Sequence, residues 1–188
     1  MARTFSDKSS ATSLTSSYYL QNFYYFNRNA LKASYRKDYS KTELSYEDTR
    51  ALKRAASKLS SFHYSKEENG DNLVSSIKAF AETYNNAIDS TNSKDSETYR
   101  QNRQLKALAK KYGDDLKKIG ISIDKDGKMS ISENILKGST FEEIESVFSD
   151  EAKYMKSIKK IANRMHSQSY DDIYTRITGN GERLNIIL

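Results

Sequence analysis

The sequence predicts a mainly α fold: an antiparallel helical hairpin of the coiled-coil bundle type, carrying one small β-hairpin at about residues 121–131. Three observations lead there. Apolar residues recur every three or four positions over long stretches, the period of a helix with one buried face. Proline, which lacks an N–H and clashes with the preceding helical turn, is absent from all 188 residues. In one short stretch the period shifts to two around an Asp-Gly pair, the pattern of a hairpin.

Taken in order, residues 1–40 form a Ser/Tyr-rich basic arm, flexible or ordered only on binding, and residues 41–188 the helical domain. The arm is too aromatic for an ordinary solvated linker. Tyr19, Phe23, Phe26 and Ala30 are spaced to share one helical face, and Tyr18, Tyr19, Phe23, Tyr24 and Phe26 are candidate interaction residues. A first helix is expected over 45–62, opened by Ser45 and Asp48 as a capping box, with Leu52, Ala55, Ala56, Leu59 and Phe62 on one stripe. A loop over 65–71 pivots on Gly70.

The clearest helix is 72–90, where Leu73, Ile77, Phe80, Tyr84 and Ile88 repeat over four turns and are assigned to the core. After a polar turn, 95–119 gives a comparable stripe of Tyr99, Leu105, Leu108, Tyr112, Leu116 and Ile119. Gly113 weakens it by roughly 1 kcal/mol relative to alanine, and Gly120 is a natural stop. The short connection predicts an antiparallel pair. Ile121, Ile123, Met129 and Ile131 then alternate with polar residues about an Asp126-Gly127 turn. Ser139 and Glu142 form a second capping box, opening a short helix with Phe141, Ile144, Val147 and Phe148. A last helix spans 151–166 with Tyr154, Ile158, Ile161 and Met165. The tail holds Tyr170, Ile173, Tyr174 and Ile177, then Gly179-Asn180-Gly181, and ends Leu184, Ile186, Ile187, Leu188, an apolar end expected to dock.

Composition narrows the function. Apolar residues are 36% and charged residues 30% of the chain. No run of 18 apolar residues occurs, so no membrane span is expected. Cysteine is absent, which excludes disulfides and thiolate chemistry. The N-terminus has no apolar signal-peptide region, so the expected location is the cytoplasm, or outside the cell by a route without a cleaved signal. The net charge is +6; residues 1–60 hold 11 Lys/Arg against 5 Asp/Glu, while 61–188 hold 20 of each. A basic arm can touch nucleic acid, an anionic membrane or an acidic protein. With no block of five basic residues, nucleic acid is not the expected partner.

Two stretches resemble a known family. LVSSIKAFAETYNNAID (73–89), an apolar helix running into Tyr84-Asn85, and LKKIGISIDKDGKMSISENILK (116–137), with its Ile-Gly-Ile start and Asp-Gly turn, resemble the C-terminal region of flagellar hook-associated protein 2, the filament cap protein. EEIESVFSD (142–150) is similar to that family's following short helix, so the resemblance covers roughly residues 73–148. It implies a helical pair joined to a small β-hairpin, terminal helices that pack between subunits, and export without a cleaved signal. The chain is far shorter than a cap protein, and its first 70 residues show no such likeness.

No catalytic constellation is present. His63 and His166 lie about 100 residues apart, and no nucleophile elbow, phosphate loop or dinucleotide fingerprint occurs. Residues 122–133 match part of a calcium loop, with Asp124, Asp126 and Glu133 at ligand positions 3, 5 and 12 and Gly127 at 6. Ser122 at position 1 and the strand-like flank fit a hairpin better. The carboxylate pairs Asp114-Asp115, Glu142-Glu143 and Asp171-Asp172 suit a solvated surface, since adjacent helical residues do not face each other. The expectation is therefore a non-enzymatic structural or protein-interaction protein without cofactor, acting by helix packing and self-association as a homo-oligomer. The alternative is a cytoplasmic adaptor or regulator, binding a protein or nucleic acid through its basic aromatic N-terminal third.

Overall fold

The structure, a computed structural model, describes residues 22–64, 70–94 and 96–180. Tyr18 and Tyr19, most of the expected 65–71 loop and the apolar end at 184–188 lie outside the described residues. The fold is mainly α with one two-stranded antiparallel sheet, as the periodicity predicts.

Residues 22–26 are helical and lead into α1 (Arg28–Leu31) and α2 (Ala33–Arg36), two short turns of helix. They are followed by α3 (Lys41–Ser60), which starts earlier than expected. Its capping box is Ser40 with Glu43: the Glu43 N–H donates to Ser40 Oγ at 3.3 Å, and the Ser40 N–H donates to Glu43 Oε2 at 2.7 Å. Ser45 and Asp48 satisfy the same four-residue pattern but sit inside the helix and are buried. Their partners are distant in sequence, Ser169 Oγ at 3.0 Å from Ser45 Oγ, and the Arg36 guanidinium on Asp48.

The core is centred on α3, which packs most extensively on α4 (Gly70–Ser90) and on α9 (Lys153–Asn180). Leu52, Ala56 and Leu59 of α3 meet Leu73, Ile77, Phe80, Tyr84 and Ile88 of α4, and each of these is fully buried. Gly70 opens α4 instead of pivoting a loop. The stretch expected as one helix over 95–119 is two, α5 (Tyr99–Lys111) and α6 (Gly113–Lys118), parted at Tyr112 where the backbone leaves helical geometry (φ −99°, ψ 15°). The weak point is where Gly113 stands, and the Tyr112 ring turns to pack on Tyr154 at 5.4 Å. Leu105, Leu116 and Ile119 are fully buried; Leu108 and Tyr112 are partly buried against the same core. The α4–α5 connection is closed by Asn102, whose side-chain amide donates to Ile88 O at 2.7 Å and Thr91 Oγ1 at 2.8 Å.

β1 (Ile121–Ile123) and β2 (Met129–Ile131) pair in the register Ile121 with Ile131 and Ile123 with Met129. The turn spans five residues rather than two. Asp124 Oδ1 accepts the N–H groups of Asp126 and Lys128 at 2.9 and 2.8 Å, and Gly127 adopts φ +82°, a conformation glycine takes without strain. The hairpin is fastened to α4 by the Tyr84-Asn85 pair. The buried Tyr84 hydroxyl is within donating distance of Gly127 O (3.1 Å) and Leu105 O (3.3 Å). The Asn85 side chain exchanges two 2.8 Å bonds with the Met129 backbone, behaving as one more strand residue.

α7 (Glu133–Gly138) and α8 (Phe141–Phe148) follow. The cap of α8 is Thr140 with Glu143, one residue beyond the expected Ser139 and Glu142. Ser139 is unavailable because its hydroxyl donates to Ile135 O at 3.0 Å in the preceding helix. The last helix does not end at 166 but continues through the tail as α9, 28 residues long. Polar residues 166–169 interrupt the visible stripe. Ser169 and Ile173 are nonetheless buried, so the packed face continues past them. Among the described residues no helix is long and apolar enough to cross a membrane.

Candidate interaction surface

Large apolar side chains left exposed in a folded chain mark contact surfaces when they cluster. Among the described residues six are exposed: Tyr25, Phe26, Tyr35, Ile135, Tyr170 and Tyr174. All but Ile135 belong to one connected strip. It begins at the distal part of α9, where the rings of Tyr174 and Tyr170 stack at 6.4 Å with 17° between planes. Tyr170 touches Tyr46 of α3 (6.3 Å), whose ring also lies 5.3 Å from the His166 ring. The Arg50 guanidinium sits over Tyr46 at 5.9 Å. One turn on, Arg54 donates to Phe26 O at 3.2 Å. Tyr25 and Phe26 are in edge contact at 5.7 Å, and Arg28 lies over Tyr25 at 4.9 Å and within 6.0 Å of Tyr35.

The strip thus interleaves tyrosines with guanidinium groups over parts of the chain more than 100 residues apart. Guanidinium on an aromatic face is a stabilising pairing that keeps both groups oriented while leaving one side of each available. Sequence reasoning found Phe26 of this set but missed Tyr35, Tyr46, Tyr170 and Tyr174 as a group, because no local period joins them. The signal that could have found them was the excess of tyrosine itself, 14 in the chain, over what the core stripes use.

Two other expected interaction residues, Phe23 and Tyr24, turn toward the bundle. Phe23 is buried in the core cluster, and Tyr24 is half-buried, donating to Glu82 Oε2 at 3.4 Å; burial raises the pKa of both Tyr24 and Glu82. They anchor the strip to α4.

Beneath the strip lies a polar seam. Arg36 holds both oxygens of Asp48, at 3.1 Å to Oδ2, and donates to Ala30 O at 2.5 Å. Ala30 O also accepts from the Asn86 amide at 3.1 Å. Asn29 donates to Glu47 Oε1 at 3.3 Å. Burial raises the carboxyl pKa of both Glu47 and Asp48, against the pull of Asn29 on the first and Arg36 on the second. His166 is pushed down to about 4, chiefly by burial and further by Lys53, Arg50 and Arg54, so its ring beside Tyr46 is neutral at pH 7.

The three calcium candidates do not converge. Asp124 is held by the turn's own N–H groups. Glu133 is paired with Lys78 and Lys137, which draw its carboxyl down to about 2. Among the described residues no group of three or more His, Cys, Asp or Glu is placed to hold a metal ion. Of the acidic pairs, Asp115 lies 2.9 Å from Lys118 on the surface. Comparison of the chain with protein-family models, with curated proteins and with solved structures found no match.

Proposed function

We propose that this chain is a non-enzymatic interaction protein whose helical bundle presents the tyrosine–arginine strip to a protein partner, in the first instance a second copy of itself. The observation that carries the reading is the concentration, among the described residues, of five of six exposed large apolar side chains in that one strip. Tyr and Arg are the residues most enriched where binding energy concentrates in protein interfaces. The strip's two ends also differ in charge. Arg28 and Lys32 stand near Tyr25 and Tyr35, whereas Asp171 adjoins Tyr170 and Tyr174. A two-fold arrangement would set unlike ends together, the condition for a self-complementary interface. The local resemblance of residues 73–89 and 116–137 to filament-cap phrases points toward assembly as well.

Light scattering coupled to size exclusion over rising concentration tests this. A dimer or larger species is expected, and Tyr170→Ser with Tyr174→Ser should abolish it while leaving the melting temperature within about 2 °C, the scale of a surface change. A monomer at every concentration would refute self-association. It would leave the adaptor reading, which the cationic centre of the strip at Arg50 and Arg54 favours, with an acidic protein as partner.

A further inference from the structure

A cavity of about 560 Å³ opens between α5, α6 and the β-hairpin turn, a size within the usual range for small ligands. Four lysines from three elements converge on it: Lys106 and Lys110 from one face of α5, Lys117 from α6 and Lys125 from the turn. Lys110, Lys117 and Lys125 have no acidic partner among the described residues. Lys118, Lys128 and Lys137, by contrast, each sit on a carboxylate. The one carboxylate in the lining is Asp124, whose Oδ1 is occupied by two backbone N–H groups. Lys106 is preorganised. Its stem crosses Gly127 so closely that a Cβ there would stand 2.6 Å from its Cγ, and its ammonium donates to Asn92 Oδ1 at 3.1 Å.

Helical periodicity alone places lysines around a helix; it does not bring those of a second helix and a turn to the same hollow. Concave walls of low dielectric concentrate the potential of the charges that line them. Four ammonium-bearing side chains gathered around a single carboxylate repel one another, and an anion relieves the repulsion. We propose that this cavity binds a compact anion carrying several phosphate groups. Lysine ammonium groups meet phosphate oxygens as mobile point charges and form charge-assisted hydrogen bonds with them.

The test is calorimetric titration of the full chain with sodium tripolyphosphate at low salt, paired with sedimentation on phosphatidylcholine vesicles doped with a phosphoinositide. One saturable site is expected, weakened by added salt. Lys110→Glu with Lys117→Glu should lower affinity by at least about tenfold, the loss of one charge-assisted contact or more. Both residues are exposed, so the variant's melting temperature should match the wild type. Lys41→Glu with Lys153→Glu, both exposed and outside the strip, changes the net charge equally elsewhere and should bind as the wild type does. Vesicle binding that tripolyphosphate displaces would assign the phosphates to a lipid headgroup; tripolyphosphate binding without vesicle binding would assign them to a soluble ligand. No heat at low salt overturns the proposal. So does equal binding by the Lys110/Lys117 variant, or an equal loss in the control.

Discussion

Arg36 is the pin that holds the N-terminal end of the strip, and replacing it by methionine tests how much the pin contributes. The substitution keeps the aliphatic stem but removes a guanidinium that reaches both oxygens of Asp48 and the carbonyl of Ala30. Asp48 has no exposed surface, so its carboxylate would be left buried and unpaired. Breaking a buried pair in this way costs about 3–5 kcal/mol. Two features reduce the figure here. The Arg36 side chain is 21% exposed, so water already screens the pair in part. Burial already raises the Asp48 pKa, so the orphaned carboxylate can escape by taking up a proton. The expected loss at pH 7 is about 2–3 kcal/mol, read as the shift in urea midpoint at constant slope. Because burial raises the Asp48 pKa, the penalty should shrink as pH is lowered and Asp48 protonates. Arg36→Met with Asp48→Leu should recover most of it, because no charge is then stranded. Amide exchange in residues 28–36 should quicken in the single variant. A loss under about 1 kcal/mol, the level of an exposed pair, or a double variant as unstable as the sum of the singles, would refute the reasoning.

Other outcomes follow from the same structure. Phe80→Ala removes a fully buried ring in contact with Phe148 at 5.7 Å and should cost about 3–5 kcal/mol; an unchanged melting temperature would refute its place in the core. Gly120 has φ +82°, and a Cβ there would stand 2.8 Å from Ser132 O, so Gly120→Ala should cost more than about 2 kcal/mol. Gly113, with open space at the same position, should accept alanine without loss, and equal effects at the two sites would contradict the geometry. His166 has its folded pKa lowered to about 4, so it contributes stability above its unfolded value near 6.5 that is lost as pH falls from there toward 4. Wild type should therefore lose stability relative to His166→Gln over that window, and parallel pH curves for the two would exclude the effect.

The core of α4 was legible because Leu73, Ile77, Phe80, Tyr84 and Ile88 bury their whole side chains on one stripe with nothing polar intervening. The hairpin was legible because three isoleucines and Met129 alternate across it. What the sequence could not show came from two causes. Capping patterns are short, so Ser40-Glu43 and Ser45-Asp48 fit one rule equally well; only the arrival of Ser169 and Arg36 from elsewhere makes the second pair interior. The end of α9 was hidden because its packed face passes through Ser169, a polar residue that period-counting treats as outward. The strip fails for the same reason on a larger scale. Its tyrosines come from α9, α3, α2 and the segment before α1, and no window along the chain contains them together. The lysine cavity was hidden by arithmetic: residues 61–188 are neutral in sum, while the 99–113 segment carries five cations and no acid.

The hydroxyl pair Ser45–Ser169 bears on how α3 and α9 can be aligned. Two smooth apolar helices can slide past each other by a turn, about 5.4 Å, with little change in the area they cover. Here such a slip would strand both hydroxyls among hydrocarbon and carry Tyr46 off Tyr170, so the displaced alignments are penalised without the correct one being much strengthened. The hydroxyl pair works as a keyway. It selects among bundles of nearly equal hydrophobic content, and in doing so it fixes where the surface tyrosines of α9 come to rest.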